Sequence, residues 1–191
     1  IMNERTFARL VSDLESPDFS KVQTAANTIT SLRDENAYPL IMNALKNESS
    51  AVQRVMLWAL QNYKDADYTN YLSFLTSEDS DVREAAQVLF MDGGNSAEKA
   101  LESAVHSADT KLQYAAVETL GNLRTPAAEN MLIEALLAED DSVRFLAASA
   151  LSAYPSDAVT AALITSLESG TTALPALFSL RGRTLSSEEL K

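Results

Sequence analysis

Hydrophobic positions recur about every thirty residues along the chain and form two ladders that run in register. The steps within each ladder are 30 or 31 residues. Since a fixed period of this length is typical of stacked helical hairpins that share one core, the pattern predicts an all-α solenoid. The first ladder consists of Val22, Val52, Val82, Leu112 and Val143, and the second of Leu45, Leu75, Val105, Leu136 and Leu167.

One repeat, residues 109–137, indicates why each unit should be a pair of helices. Its apolar positions follow helical spacing, which predicts one buried stripe per helix. Between the stripes, Arg124, Thr125 and Pro126 predict a turn, because proline is tolerated in the first turn of the next helix. The first stripe consists of Leu112, Ala115, Ala116, Thr119, Leu120 and Leu123, and the second helix buries Met131 or Ala128 together with Leu132, Ile133, Leu136 and Leu137.

Polar residues two positions before the first ladder predict where the first helices begin. All of them are types that favour the N-cap position, where a side-chain oxygen accepts a backbone N–H. Small residues three and four positions after the ladder, such as Ala85 and Ala86, predict that neighbouring helices approach closely. The predicted caps are Ser20, Ser50, Ser80, Thr110 and Asp141.

The two ends of the chain predict half-repeats rather than complete hairpins. Phe7, Leu10, Val11 and Leu14 form one apolar stripe that falls one period before Leu45, which predicts a lone second helix. Leu174, Leu177, Phe178 and Leu180 predict a first helix without its mate. We therefore predict one repeat domain over residues 1–191. It comprises a half-repeat at 1–16, repeats at 17–46, 47–76, 77–106, 107–138 and 139–169, a cap helix at 170–185 and a tail at 186–191.

Three stretches give these repeats a family resemblance. An acidic turn precedes Val-Arg and an alanine pair in residues 79–86, residues 140–144 repeat the same phrase, and residues 112–121 match an alanine-rich helix with a Leu-Gly ending. These stretches resemble HEAT repeats, and the short period is similar to the HEAT-like repeats of phycobilisome lyases. The resemblance implies a right-handed α-α superhelix of about five hairpins. It also implies that Arg83 and Arg144 form a ladder with turn acids of adjacent repeats.

The same resemblance allows specific activities to be weighed. Deoxyhypusine hydroxylase, a HEAT-like di-iron enzyme, uses several His-Glu pairs as metal ligands. This chain has one histidine, His106, followed by Ser107, which argues against that activity. His106 lies at the predicted end of a second helix, where its charge suits the helix C-terminus. We therefore predict no metal site, no cofactor and no catalytic residues.

Charge and composition narrow the classes of partner. The net charge is −12 and the sequence pI is about 4.4, so the long-range field repels nucleic-acid phosphate and anionic lipid. The chain has no cysteine, which excludes disulfides and thiolate metal sites. No apolar run approaches the roughly twenty residues that span a bilayer. We predict a protein or peptide partner, no nucleic acid, no membrane and a cytoplasmic location, with the oligomeric state left open.

Two sets of residues are candidates for binding such a partner. Trp58, Tyr114 and Phe145 lie two or six positions after the first ladder, so they should point away from the core. Exposed aromatics favour interfaces, although packing against repeat edges is the alternative. Second helices line the concave face of HEAT solenoids, which makes their polar positions a second candidate surface. These positions include Asn43, Asn70, Ser73 and Glu134.

The sequence-based prediction of function follows from these surfaces. We predict a non-enzymatic protein–protein interaction scaffold that presents a curved helical surface to a protein or peptide. The alternative, which rests on the resemblance alone, is a bilin lyase-like subunit acting on a phycobiliprotein or another tetrapyrrole-bearing protein.

Overall fold

Helices account for every regular element in the part of the chain that the structure describes. The computed structural model describes residues 1–46, 49–64, 66–168, 170–181 and 183. The predicted tail at 186–191 lies outside the described residues, as does the predicted cap helix beyond residue 183. No helix in the described ranges is long and apolar enough to cross a membrane. The chain divides into two compact units, Ile1–Ala97 and Glu98–Lys191.

The first unit is built from first helices that pack on one another and second helices that pack beside them. The first helices α2, α4 and α5 lie in sequence, with α1, α3 and a 3-10 helix against them. The predicted N-terminal half-repeat contains helix α1, with Phe7 and Leu14 buried. The bounds are α1 Glu4–Asp13, α2 Phe19–Thr30, α3 Ala37–Leu45, α4 Ser50–Leu60, the 3-10 helix Tyr68–Thr76 and α5 Ser80–Met91.

The boundary between the units falls within the next helix, α6, Gly94–Val105. In the second unit α9 packs against both α7 and α11, while α8 and α10 are the second helices beside them. The alternation of first and second helices agrees with the predicted hairpins. The bounds are α7 Thr110–Leu123, α8 Pro126–Ala135, α9 Asp141–Ala150, a short 3-10 helix Leu151–Ala153, α10 Asp157–Ser166 and α11 Gly170–Leu180.

The first helices begin one or two residues earlier than the sequence pattern predicted. Asp79 Oδ1 accepts hydrogen bonds from the backbone N–H groups of Asp81 and Val82, at 2.9 and 3.1 Å. A carboxylate at this point satisfies two free N–H groups and also meets the positive end of the helix dipole. The predicted caps were therefore wrong, and those residues occupy the first turn. The observed N-cap residues are Asp18, Ser49, Asp79, Asp109 and Asp140.

Replacing the observed cap should cost more than replacing the predicted one. Asp109 accepts from the N–H groups of Lys111 and Leu112 at 3.0 and 3.3 Å. We expect Asp109→Ala to lower the free energy of unfolding by about 1 kcal/mol, as lost caps do. Thr110→Ala, in the exposed first turn of the same helix, should cost less than about 0.5 kcal/mol. Urea unfolding followed by circular dichroism measures both, and equal losses would contradict the assignment of the cap.

Most ladder residues lie in the core, although Val22 and Leu112 of the first ladder are half-buried and the second ladder needs a correction in the second unit. Leu45, Leu75, Val105 and Leu136 are buried, but Leu167 is 37% exposed. Leu136 is the C-cap residue of α8, and α10 packs against α8. In the described residues no further hairpin follows α10 to cover Leu167 in the same way. Two predicted core positions of α8 also differ, because Leu137 is 85% exposed and Ile133 is half-buried. Leu137 follows the end of the helix, where the stripe no longer faces the core.

The predicted stripe of α11 was wrong for three of its four residues. Leu174, Leu177 and Phe178 are exposed, and the buried face consists of Pro175, Ala176, Ser179 and Leu180. Small residues on that face let α11 approach α9 closely enough for the Ser179 hydroxyl to donate to the carbonyl of Ala148. Close approach of two helices thus favours the small residues over the large ones.

Side chains at the ends of first helices cap the carbonyl groups of the preceding first helix. Asn62 Nδ2 donates to the carbonyls of Thr30 and Leu32 at 2.7 and 3.2 Å. In the second unit Tyr154 Oη donates to the carbonyl of Leu120 at 2.8 Å and accepts from the N–H of Arg124 at 2.9 Å. These bonds satisfy backbone groups that a helix C-terminus otherwise leaves without partners.

Arg83 and Arg144, the arginines of the HEAT-like stretches, each anchor the turn before their own helix. Arg83 donates to the carbonyl of Ser77 at 2.6 Å, so the predicted pairing of Arg83 with an acid of another repeat was wrong. Arg144 donates to the carbonyls of Ala138 and Glu139 at 2.6 and 2.8 Å, and it also pairs with Asp141. Because each guanidinium group donates to backbone carbonyls, it holds the turn in place without requiring a carboxylate from another repeat.

Candidate protein-binding surface

The aromatic residues predicted to point away from the core do so. Trp58 is 38% exposed, Tyr114 40% and Phe145 50%. Each lies on a first helix, on the side opposite the ladder residue that faces the core. Their exposure is therefore confirmed, while a binding role remains a prediction.

Two of the three aromatics meet in one groove of the second unit. Tyr114 on α7, Phe145 on α9 and Leu174 on α11 line an open groove of about 950 Å³. The three residues are 31 and 29 positions apart, so they occupy equivalent places on successive first helices. Because α9 packs against both neighbouring helices, the three side chains form a row across them.

Polar and charged side chains form the rim of this groove. Asp140 caps α9 through its Oδ1, and Asp141 pairs with Arg144. Lys111 from α7 lines the same groove. An apolar floor with a polar rim is the arrangement typical of a site that anchors an apolar side chain of a protein partner.

Leu174 is the residue of this groove that sequence reasoning missed, because it was assigned to the core. A signal was present, since Leu174 lies 29 positions after Phe145 and thus at the same place in the repeat. The register that predicted exposure for Phe145 would have predicted it for Leu174 as well.

Trp58 belongs to a different surface, in the first unit. It lies one turn after Arg54 on α4, and the Arg54 guanidinium is 3.5 Å from the carboxylate of Asp81 on α5. Both charged side chains are largely exposed. An exposed ion pair of this kind contributes little stability. Its two charged side chains nevertheless place Trp58 on a polar rather than an apolar part of the surface.

The polar candidates on the second helices are all exposed. Asn43 lines a groove of about 740 Å³ between α1 and α3, together with Val11 and Leu40. Asn70 and Ser73 lie on the exposed side of the 3-10 helix. Glu134 is on α8, outside the groove of Tyr114, and its carboxylate is 3.1 Å from His106 Nε2.

Two tyrosines on the same 3-10 helix as Asn70 and Ser73 form part of the core. Tyr68 and Tyr71 are buried, with ring centroids 5.2 Å apart, and Tyr68 also packs against Phe90 at 5.6 Å. Burial raises the pKa of Tyr71, and its hydrogen bond with Tyr38, at 3.3 Å between the hydroxyl oxygens, acts in the same direction. A neutral, buried tyrosine stabilises packing and does not act as a base.

Acidic and histidine side chains do not converge into a metal site in the described part of the chain. No group of three or more His, Cys, Asp or Glu residues is placed there to hold a metal ion. Several of the aspartates instead cap helix starts, as Asp79, Asp109 and Asp140 do.

Several solved structures are similar to the chain. The structure of human deoxyhypusine hydroxylase in complex with glycerol is 20% identical and has a TM-score of 0.49, with 93% of this chain and 73% of that chain covered. An engineered protein is 22% identical with a TM-score of 0.43, and 99% and 93% are covered. A designed armadillo repeat protein in complex with the peptide (KR)4 is 19% identical with a TM-score of 0.39, and 96% and 95% are covered.

No curated protein matches the sequence. The family model for HEAT repeats, in contrast, matches residues 7–89 and 97–179, which is most of the chain. These two segments contain helices α1 to α11 almost completely. The chain therefore belongs to the HEAT-repeat family and has the all-helical α-solenoid fold class of that family.

Proposed function

We propose that this chain is a non-enzymatic scaffold that binds a protein or peptide partner on a surface of stacked helices. The observation that carries the proposal is the row of Tyr114, Phe145 and Leu174 in one groove of the second unit. Contiguous exposed apolar side chains are uncommon on soluble proteins and are typical of interaction sites. Aromatic residues in particular supply much of the binding energy at such sites.

Helix packing supports the proposal because it holds the row in place before binding. Each of the three side chains stands on a separate helix, and α9 packs against both α7 and α11. Phe145 is followed by Ala147 and Ala148, both fully buried, which fix its helix against its neighbours. A preformed surface loses little conformational entropy when a partner binds. The groove is therefore suited to an apolar side chain from a peptide or from the edge of a folded protein.

A scaffold also agrees better than an enzyme with the surroundings of the reactive side chains. Tyr154 Oη is engaged with two backbone groups, and His106 is exposed and paired with Glu134. General acid–base catalysis needs such groups at a concave site shielded from water. The tetrapyrrole alternative remains a prediction of the resemblance, and no feature of the described residues favours it.

Peptides selected against the full-length chain provide the test. We expect peptides from a displayed random library to bind the chain and to lose affinity about tenfold or more with Phe145→Asp, because the charge occupies the apolar floor. Leu137→Asp is the matched control, since Leu137 is also an exposed apolar residue of the second unit but does not line this groove. It should leave the affinity unchanged.

Two results would contradict the proposed function. One is that selected peptides bind Phe145→Asp and Tyr114→Ala as tightly as the natural chain, with circular dichroism showing that both variants are folded. The other is that no peptide is selected while free biliverdin binds with a shifted absorption band, which would favour the tetrapyrrole alternative.

A further inference from the structure

Helix α11 is apolar on two opposite faces. One face, with Pro175, Ala176 and Leu180, is buried against the rest of the second unit. On the other face Leu174, Leu177 and Phe178 are 59%, 58% and 61% exposed. A helix that is hydrophobic all round is normally buried on all sides. The exposed face therefore has the composition of a contact surface.

The repeat register shows what kind of contact this face resembles. Leu177 lies 29 positions after Ala148, which lies 31 positions after Val117, so the three residues are equivalent. Val117 and Ala148 are fully buried. In both cases the adjoining first helix packs beside them, α9 on α7 and α11 on α9. Leu177 thus stands at the position that a neighbouring first helix covers on α7 and on α9, whereas Leu174 and Phe178 correspond to the exposed Phe145 and Ser149.

Charges at the two ends of α11 favour a particular occupant. Arg181 follows the helix directly and lies seven residues after Leu174, so it shares the exposed apolar face. Glu168 lies two residues before the helix begins. Both residues are exposed, and neither forms an ion pair with another described residue. Opposite charges at opposite ends are complementary to the same helix running in the reverse direction.

We propose that two copies of the chain associate through α11, with the two helices packed antiparallel about a two-fold axis. Leu177 lies near the axis, and Leu174 of each copy packs against Phe178 of the second copy. Arg181 of each copy then lies near Glu168 of the second copy, and the symmetry doubles this pair. Antiparallel packing also opposes the two helix dipoles favourably.

This dimer is independent of the groove proposed above, apart from Leu174 at their common edge. The net charge of −12 opposes association of two copies at long range. At physiological ionic strength the Debye length is about 8 Å, so that repulsion is largely screened while the contact at α11 is not. The proposal therefore applies at physiological salt.

The test is the molar mass of the full-length chain in solution, measured by sedimentation equilibrium over roughly 1 to 200 µM, because a dimer depends on concentration. We expect a monomer–dimer equilibrium for the natural chain. Leu177→Asp with Phe178→Asp should weaken dimerisation about tenfold or more, since the symmetric contact loses each side chain twice. Leu137→Asp is the control on an exposed residue elsewhere in the second unit and should keep the dimer.

A charge exchange tests the antiparallel arrangement itself. Arg181→Glu should weaken the dimer roughly threefold to tenfold, because each copy loses one ion pair and gains a repulsion. Adding Glu168→Arg in the same chain restores the pair and should restore the affinity. A monomer at every concentration, or a dimer that survives the Leu177 and Phe178 changes, would overturn the proposal. Failure of the exchange to restore affinity would overturn the two-fold arrangement, and none of these results bears on peptide binding to the groove.

Discussion

Gly93→Ala should lower the free energy of unfolding by about 3 kcal/mol, because the position has no room for a methyl group. A Cβ atom there would lie 2.5 Å from the Cβ of Ala97 and 2.5 Å from Cε2 of Tyr68. Tyr68 is buried and packs on both Tyr71 and Phe90, so its ring cannot move without disturbing the core. For a chain of this size the loss corresponds to a fall in melting temperature of roughly 6 to 12 °C.

The neighbouring glycine separates steric crowding from backbone strain. A Cβ atom at Gly94 would meet no atom within 4 Å, but its φ of +61° is costly for a residue with a side chain. Gly94→Ala should therefore cost about 1 to 2 kcal/mol. Thermal melts of the two variants give the comparison. If Gly93→Ala costs no more than Gly94→Ala, crowding is not the cause. If it costs the same when Tyr68 is also changed to alanine, the Tyr68 ring is not the source of the crowding.

Tyr154→Phe should lower the free energy of unfolding by about 2 kcal/mol, although it removes a single oxygen atom. Tyr154 Oη donates to the carbonyl of Leu120 and accepts from the N–H of Arg124, so the change leaves two backbone groups at the C-terminal end of α7 without this partner. An unsatisfied buried polar group costs about 1 to 3 kcal/mol. Burial also raises the pKa of Tyr154, which agrees with a neutral hydroxyl held in this place.

Tyr114→Phe is the matched control for this change. Tyr114 stands on the same helix that Tyr154 caps, but it is 40% exposed, so loss of its hydroxyl should cost less than about 0.5 kcal/mol. Urea unfolding of both variants measures the difference. Equal losses, or no loss with Tyr154→Phe, would show that water satisfies the end of α7 and that the tyrosine cap is dispensable.

Both positions illustrate how the hairpins depend on one another. Gly93 is crowded by Tyr68 from a different helix, and Tyr154 satisfies the backbone of a helix that ends some thirty residues earlier. A single hairpin would lack these contacts, which is why stability in repeat arrays comes largely from neighbours. The same dependence holds the row of Tyr114, Phe145 and Leu174 in register for a partner.

The candidate surface could be predicted in part. Helical spacing from Val143 places Phe145 on the side away from the core, and the same reasoning holds for Tyr114 and Trp58. Which of these aromatics share a groove could not be predicted, because that depends on which helices pack together. The assignment of Leu174 failed for a related reason. In an apolar helix such as α11 the sequence offers two stripes, and only packing on α9 selects the one with small residues.

Period and spacing by themselves determined that this chain is a series of helical hairpins, because buried positions that repeat every thirty or so residues can be satisfied by stacking alone. They also determined the outward direction of Phe145, since an α-helix fixes the angle between residues. Only the tertiary structure decided that Asp109 rather than Thr110 caps α7, that Arg83 holds its own turn, and that α11 leaves an apolar face exposed. The cap of α7 depends on a one-residue shift in a helix start, the contact of Arg83 on the path of its turn, and the exposed face of α11 on packing against α9, and composition and periodicity specify none of these.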